Sequence, residues 1–197
     1  MPNSKNWYSI LHCIFNGCIV TTATPTYAFI FDSLAEPSSV QIKLSEAGVV
    51  ADLKLQVKKH FIYSYSMKFW FPENDQVERA HVRRLLGGHT VDKTGNPVEP
   101  GTPTPISLTI FAICKGGKEV EIYSEDVNPV LTFWSQDYFG KKIGSYVLNS
   151  GMYRVRLVNN RAASEFSSIP ITLEIGAPAK VKFDPTKEPS RSKPCQQ

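Results

Sequence analysis

Several patterns that mark catalytic or metal-binding proteins are missing from this 197-residue sequence. Its four cysteines and four histidines have none of the paired spacings that form zinc sites. Gly87 and Gly88 lack the preceding strand and following lysine of a phosphate-binding loop. No nucleophile stands in a recognisable pattern with a base, and no acid pair has a diagnostic spacing. We therefore expect a protein without catalytic residues, bound metal or cofactor.

The sequence also has only a small excess of positive charge and no long apolar run. The net charge is only +4, and much of the excess lies in ends and loops rather than in one basic stripe, so a nucleic-acid partner is not expected. No apolar run spans a bilayer comfortably. Hydrophobic residues make up 42% of the chain, which together with its length is typical of one globular domain with appendages.

The N-terminal segment has the three parts of a signal peptide. Lys5 gives a basic start, residues 7–20 are largely apolar, and Thr26 and Ala28 occupy the two small positions of a cleavage site. This pattern predicts a signal peptide at residues 1–28. We expect export to the periplasm, the cell surface or the medium.

Two other interpretations of this segment remain open. In one, it is a buried first strand or helix of the domain. In the other, residues 15–18 (FNGC) resemble a lipobox, although Phe15 and Asn16 depart from its usual residues. Acylation of Cys18 would make the protein an outer-membrane lipoprotein, and contact with a membrane is expected only in that case.

Alternation of apolar and polar residues predicts strands along most of the remaining chain. Residues 40–44 and 53–57 alternate on either side of Gly48 and look like a hairpin, and residues 61–71 form the longest alternating run, a central strand that ends at Pro72. Further strands are predicted at residues 106–114, 120–123, 130–134, 146–148, 153–158 and 169–175.

One helix interrupts these strands. Asp75 and Glu78 have the spacing of a capping box, and apolar residues recur at helical spacing up to Gly87, which predicts a helix over residues 75–86. A loop rich in Gly, Pro and Thr follows, so that residues 73–105 form an insertion. We expect the basic residues of the helix to form a solvated face: Arg79, Arg83 and Arg84.

The most specific motif is at residues 148–157 (LNSGMYRVRL), where the turn residue Gly151 precedes Tyr153 at the start of an alternating strand. This order is typical of the tyrosine corner of immunoglobulin-like domains, in which the hydroxyl bonds to nearby backbone. The alternative is a hairpin that carries an aromatic by chance. We predict an all-β fold, an immunoglobulin-like β-sandwich over residues 29–176 with one short inserted α-helix, in which Tyr153 and Gly151 are structural.

Three segments in this order, residues 69–72 (FWFP), 85–88 (LLGG) and 148–157, give the chain a family resemblance. It resembles a bacterial domain family of unknown function, found in exported and lipoprotein-type proteins of Gram-negative bacteria and having an immunoglobulin-like fold. The resemblance covers roughly residues 38–176. It implies that fold and export, and it supplies no catalytic or ligand residues.

The C-terminal residues 177–197 hold four prolines among lysines and serines, which predicts a disordered tail. Cys114 shares a face with the apolar residues of its strand, so we expect it in the core. A disulfide between Cys114 and Cys195 is left open, because nothing else in the sequence anchors Cys195.

Two groups of polar residues are interpreted as having no specific functional role. The histidines of the mature chain, His60, His81 and His89, are scattered, and nothing in their spacing requires a metal. Four carboxylates near a predicted hairpin could shift one another's pKa, but solvated charge is the commoner arrangement. These are Glu119, Glu121, Glu125 and Asp126.

The best candidate for a binding surface is a run of aromatics beside lysines. Alternation buries only one of the adjacent Phe133 and Trp134, while Tyr138 and Phe139 fall in a predicted loop next to Lys141. Such residues are common at recognition surfaces. In the alternative interpretation they plug the open end of a small sandwich.

Together these features predict an exported, non-enzymatic binding or interaction protein whose partner is a protein or a glycan. One alternative is an envelope inhibitor or immunity protein against a toxin. Another is a carbohydrate-binding accessory, or an enzyme whose site is assembled from distant residues. A third is a structural subunit that contributes an edge strand to an assembly.

Overall fold

The computed structural model describes residues 33–34, 38–88, 90, 92–94, 98–178, 182–184 and 195. The predicted signal peptide, Cys18, His89 and most of the predicted tail lie outside these residues. In the described part of the chain, no helix is long and apolar enough to cross a membrane.

Ten strands, one α-helix and two short 3-10 helices (Lys115–Gly117 and Ser164–Phe166) make up the described fold. The strands are β1 (Ser33–Leu34), β2 (Ser38–Ile42), β3 (Gly48–Val57), β4 (Phe61–Trp70), β5 (Ile106–Ile113), β6 (Glu119–Val127), β7 (Leu131–Trp134), β8 (Tyr138–Leu148), β9 (Gly151–Asn159) and β10 (Ile171–Gly176). The helix α1 (Gln76–Leu86) lies between β4 and β5.

These strands form two five-stranded sheets. Sheet I has the order β1-β3-β9-β5-β6, and sheet II has the order β2-β10-β4-β8-β7. All neighbouring strands are antiparallel except β1 and β3. The predictions of an all-β sandwich and of one short helix within it are confirmed.

The core follows the predicted alternation. In β4, Tyr65, Met67 and Phe69 are buried while Ser64 and Ser66 between them are partly exposed. β4 pairs with β10 on one side and with β8 on the other, which confirms it as a central strand. The inner residues of both sheets belong to one apolar cluster.

The predicted hairpin at residues 40–57 is wrong. β2 pairs with β10 in sheet II, whereas β3 pairs with β9 in sheet I. The chain between them crosses from one sheet to the other, and buried Asn159 holds it there by donating from Nδ2 to the carbonyls of Leu44 (2.9 Å) and Glu46 (2.8 Å). Alternation reports which face a residue occupies but not which strand lies beside it.

The predicted helix is confirmed, with the cap that its sequence indicates. The Asp75 carboxylate accepts hydrogen bonds from the backbone N–H groups of Val77 (3.1 Å) and Glu78 (2.9 Å). The helix ends at Gly87, whose φ of 80° favours glycine and whose missing side chain leaves room for the Glu99 carbonyl. The buried face is formed by Val82 and Leu86.

A corner joins the two sheets after β8. Asn149 and Ser150 carry the chain from β8 in sheet II to β9 in sheet I. The buried Tyr153 donates its hydroxyl to the backbone oxygen of Asn149 at 3.0 Å. Most buried phenols have such a partner, and here the corner supplies the carbonyl.

A disulfide joins Cys114 to Cys195, with 5.2 Å between their Cα atoms. The expectation that Cys114 lies in the core is wrong, because β5 ends at Ile113 and Cys114 is half-buried beyond it. Phe183 also contacts the domain, with its ring 5.2 Å from His60 and 5.0 Å from Phe61. For the remaining tail residues, disorder stays a prediction.

One lysine lies in the core. Lys141 of β8 is paired with buried Met67 in the ladder and is only 2% exposed. Its Nζ donates to the hydroxyl of buried Thr104 at 3.2 Å, and no carboxylate pairs with it among the residues described. Burial lowers the pKa of the Lys141 ammonium from 10.5 to about 8.

We expect Tyr153→Phe to lower the free energy of unfolding by about 1 kcal/mol, because it removes a buried hydrogen bond. The matched control is Tyr65→Phe, since the buried Tyr65 hydroxyl has no partner within the described residues. This control should leave the free energy unchanged or raise it. Urea unfolding measures both variants, and equal losses would contradict the assigned role of Tyr153.

We expect Lys141→Met to stabilise the protein at pH 7. Below pH 8 the ammonium is charged in both states, and its desolvation costs the folded state on the order of 3 kcal/mol. This desolvation cost decreases between pH 8 and pH 10.5 and is absent above pH 10.5. The stability gained by Lys141→Met should therefore decrease as the pH rises. Thermal unfolding at pH 7 and pH 10 measures it, with exposed Lys142→Met as the control. A Lys141→Met variant less stable than the wild type at pH 7 would refute the expectation.

Candidate functional site

A cavity of about 390 Å³ lies between α1 and the β7–β8 hairpin. The helix contributes residues spaced by three and four positions, which places them on one face. The hairpin contributes apolar and aromatic side chains. The lining residues are Gln76, Arg79, Ala80, Arg83, Leu131, Trp134 and Phe139.

The β7–β8 hairpin, which forms one wall, has a shorter turn than the sequence predicts. Trp134 pairs with Phe139, and the Ser135 N–H donates to the Tyr138 carbonyl at 2.8 Å. Tyr138 and Phe139 therefore begin β8, and their predicted place in a loop is wrong. Gly140 and two lysines follow them in the sequence and obscure the strand pattern.

Arg79 ties the helix to this hairpin. Its guanidinium donates to the backbone carbonyls of Ser135 (3.0 Å) and Gln136 (3.1 Å). The same group lies over the rings of Phe71 and Phe139, at 5.4 and 5.2 Å from their centroids. In the described part of the chain no carboxylate forms a salt bridge with it. Arg79 is thus a positionally fixed cation at the cavity wall.

Arg83 lies one turn further along the same face. Its guanidinium donates to the Gly87 carbonyl and, at 3.4 Å, to the Glu99 carboxylate. The Glu99 side chain is 68% exposed, so this ion pair is long and faces solvent. The cavity wall therefore carries two guanidinium groups, one of which pairs loosely with a carboxylate outside the lining.

The opposite wall is apolar. Leu131 and Phe139 are buried and form its floor, while Trp134 is 55% exposed beside them. The structure thus brings two of the predicted binding residues, Trp134 and Phe139, to the arginines of α1. The sequence interpretation of those arginines as a solvated face missed the cavity, because the hydrogen bonds that join Arg79 to the hairpin span more than fifty residues.

The other predicted binding residues lie elsewhere. Phe133 and Tyr138 are on the outer face of sheet II, and the Phe133 ring occupies the space above Gly140. Lys141 is inside the sandwich and does not belong to an exposed surface. Lysine is normally exposed, which explains why a core position was not predicted for it.

The aromatic residues on the outer face of sheet II pack against one another. The Tyr138 ring lies 5.0 Å from that of Trp70 and 6.2 Å from that of Phe133, with interplanar angles of 60° and 74°. Lys68 covers Trp70 and Tyr138 and pairs with Glu174 at 2.7 Å. Tilted rings covered by a lysine do not form the flat platform on which a sugar ring stacks.

Three of the other polar residues noted in the sequence, His60, Glu119 and Glu125, are engaged within the fold. His60 bonds through Nδ1 to the side-chain oxygen of Asn149, and His81 lies in α1. Glu119 pairs with Arg154 at 2.9 Å, and Glu125 accepts from the Tyr146 hydroxyl at 2.6 Å. Within the described residues, no group of three or more His, Cys, Asp or Glu side chains could hold a metal ion.

Comparisons with known proteins place the chain in a family. The structure is similar to the crystal structure of a protein from Sulfurospirillum deleyianum, with a TM-score of 0.61 and 20% sequence identity over 74% of this chain and 99% of that one. This likeness concerns the fold alone. No curated protein matches the sequence. Residues 39–177 match the model of a domain of unknown function, DUF5625. The predicted resemblance to a family of unknown function is thereby confirmed, and the chain belongs to the DUF5625 family.

Proposed function

We propose that this protein is an exported, non-enzymatic binding protein whose partner docks at the cavity between α1 and the β7–β8 hairpin. The observation that carries the proposal is that two guanidinium groups and an exposed tryptophan line one concave site. Arg79 and Arg83 supply the cations, and Trp134 supplies the aromatic surface. Tryptophan and arginine are the residues that most often dominate binding energy at protein interfaces.

The polar groups of the cavity favour binding over catalysis. They come from Gln76, Arg79 and Arg83. An amide and two guanidinium groups donate hydrogen bonds and orient a ligand, but they do not exchange protons at neutral pH. An enzyme would need a base or a nucleophile from another part of the chain at this site.

Two features support export. The N-terminal segment has the pattern of a signal peptide. The Cys114–Cys195 disulfide suits an oxidising compartment, since reducing systems keep most cytosolic cysteines as thiols. Export to the periplasm or cell surface would place the cavity where partners from outside the cell are met, including a toxin if the protein is an inhibitor or immunity protein.

The immunoglobulin-like character of the sandwich is part of the same proposal. The Tyr153–Asn149 hydrogen bond lies where the chain passes from one sheet to the other, as in a tyrosine corner. In immunoglobulin-like domains, loops at one end of the sandwich commonly carry the binding surface. The cavity lies beside the β7–β8 turn, in agreement with such an arrangement.

Affinity purification from the producing bacterium tests the docking site. We expect Trp134→Ala to reduce recovery of a co-purifying partner at least ~10-fold, in line with a loss of about 2 kcal/mol at a central aromatic residue. Val77→Ala is the matched control, because Val77 is 82% exposed on α1 and does not line the cavity. Quantitative mass spectrometry compares the variants. Equal recovery of the partner with Trp134→Ala would overturn the proposed site.

Intact mass and cell fractionation test export. We expect a mature chain that begins after Ala28, found outside the cytoplasm, with Cys114 and Cys195 oxidised. A lipidated chain that begins at Cys18 would also support export, in its membrane-anchored form. A cytoplasmic chain that retains its first 28 residues and has two free thiols would contradict the proposal.

A further inference from the structure

We infer that the cavity receives a carboxylate from an acidic segment of a protein partner, held between Arg79 and Arg83 with a neighbouring apolar side chain against Trp134. This inference rests on the proposed function, since it names the chemistry that the docking site would select.

The first argument is charge. Arg79 forms no salt bridge with a carboxylate of the described residues, and its two hydrogen bonds there go to backbone carbonyls through one terminal nitrogen. A guanidinium has five N–H donors, so several remain to bind a ligand. Within the described part of the chain, Arg83 forms an ion pair only with Glu99, at 3.4 Å and exposed to solvent. The site therefore has positive charge that the fold does not neutralise.

The second argument is geometry. Arg79 and Arg83 are four residues apart on one helix face, and both line the cavity. Two guanidinium groups can then donate to one carboxylate, and such charge-assisted bonds are stronger than neutral ones. The contacts of Arg79 with two carbonyls and two rings already hold it in place, so binding orders little that is mobile.

The third argument concerns what lies beside the carboxylate. Leu131 and Phe139 give the cavity an apolar floor, and Trp134 remains 55% exposed at its side. A small free acid would occupy the cavity without covering the exposed part of the Trp134 ring. A protein segment would place an apolar side chain on Trp134 while its Asp or Glu reaches the arginines, so the occupant is a protein.

Two peptides provide the test: acetyl-Gly-Phe-Glu-Phe-Gly-amide, and the same peptide with Gln in place of Glu. Titration of the ¹⁵N-labelled full chain is followed through the arginine Nε–H and tryptophan Nε1–H signals. We expect the Glu peptide to shift the signals of Arg79, Arg83 and Trp134 in a saturable way, and the Gln peptide to bind at least ~10-fold more weakly. Equal binding of the two peptides would overturn the inference.

Charge variants provide the second arm. Arg83→Gln should weaken binding of the Glu peptide at least ~5-fold. Arg84→Gln should not weaken it, because Arg84 is exposed on the same helix and does not line the cavity. Melting temperatures confirm that both variants fold. Equal weakening by both variants, or acetate binding as tightly as the Glu peptide, would also refute the inference.

Two combinations of results distinguish failure of the carboxylate inference from failure of the proposed docking site. A cellular partner that depends on Trp134, combined with no preference for the Glu peptide, would leave the docking site intact and refute the carboxylate. Selective binding of the Glu peptide, with no Trp134-dependent partner in cells, would support the carboxylate site and refute the proposed docking of a cellular partner.

Discussion

The packing of the inner faces of the two sheets is the constraint on which the other features depend. Strand β4 has neighbours on both sides, and its inner residues Tyr65, Met67 and Phe69 are buried in the shared core. Each chain segment that crosses between the sheets must therefore keep water out of that core. Asn159 and Tyr153 achieve this at two crossings by bonding to the carbonyls of the crossing segments.

The candidate site forms where this packing ends. The helix α1 buries only Val82 and Leu86, so most of its surface is available for other contacts. Arg79 then joins it to the β7–β8 turn through backbone carbonyls and aromatic rings. The cavity is the space between helix and hairpin, and Arg79 lies at its wall.

Local patterns were predictable from the sequence, and distant contacts were not. The Asp75 cap, the alternation of β4 and the corner at Tyr153 depend on residues close together in the chain. The partners of β2 and β3, the disulfide and the contacts of Arg79 join segments many residues apart. Lys141 could not be placed because its burial depends on the register of β8, which includes a bulge opposite Tyr65 and Ser66.

The Cys114–Cys195 bond has a consequence for how the chain responds to proteases. It joins the turn after β5 to a residue 81 positions later, close to the C-terminus. A single cut in the segment between β10 and Cys195 would therefore release no fragment from the domain, since the C-terminal piece would stay covalently attached. In a compartment rich in proteases, such a cut would break the backbone, but the disulfide would keep both pieces in one molecule.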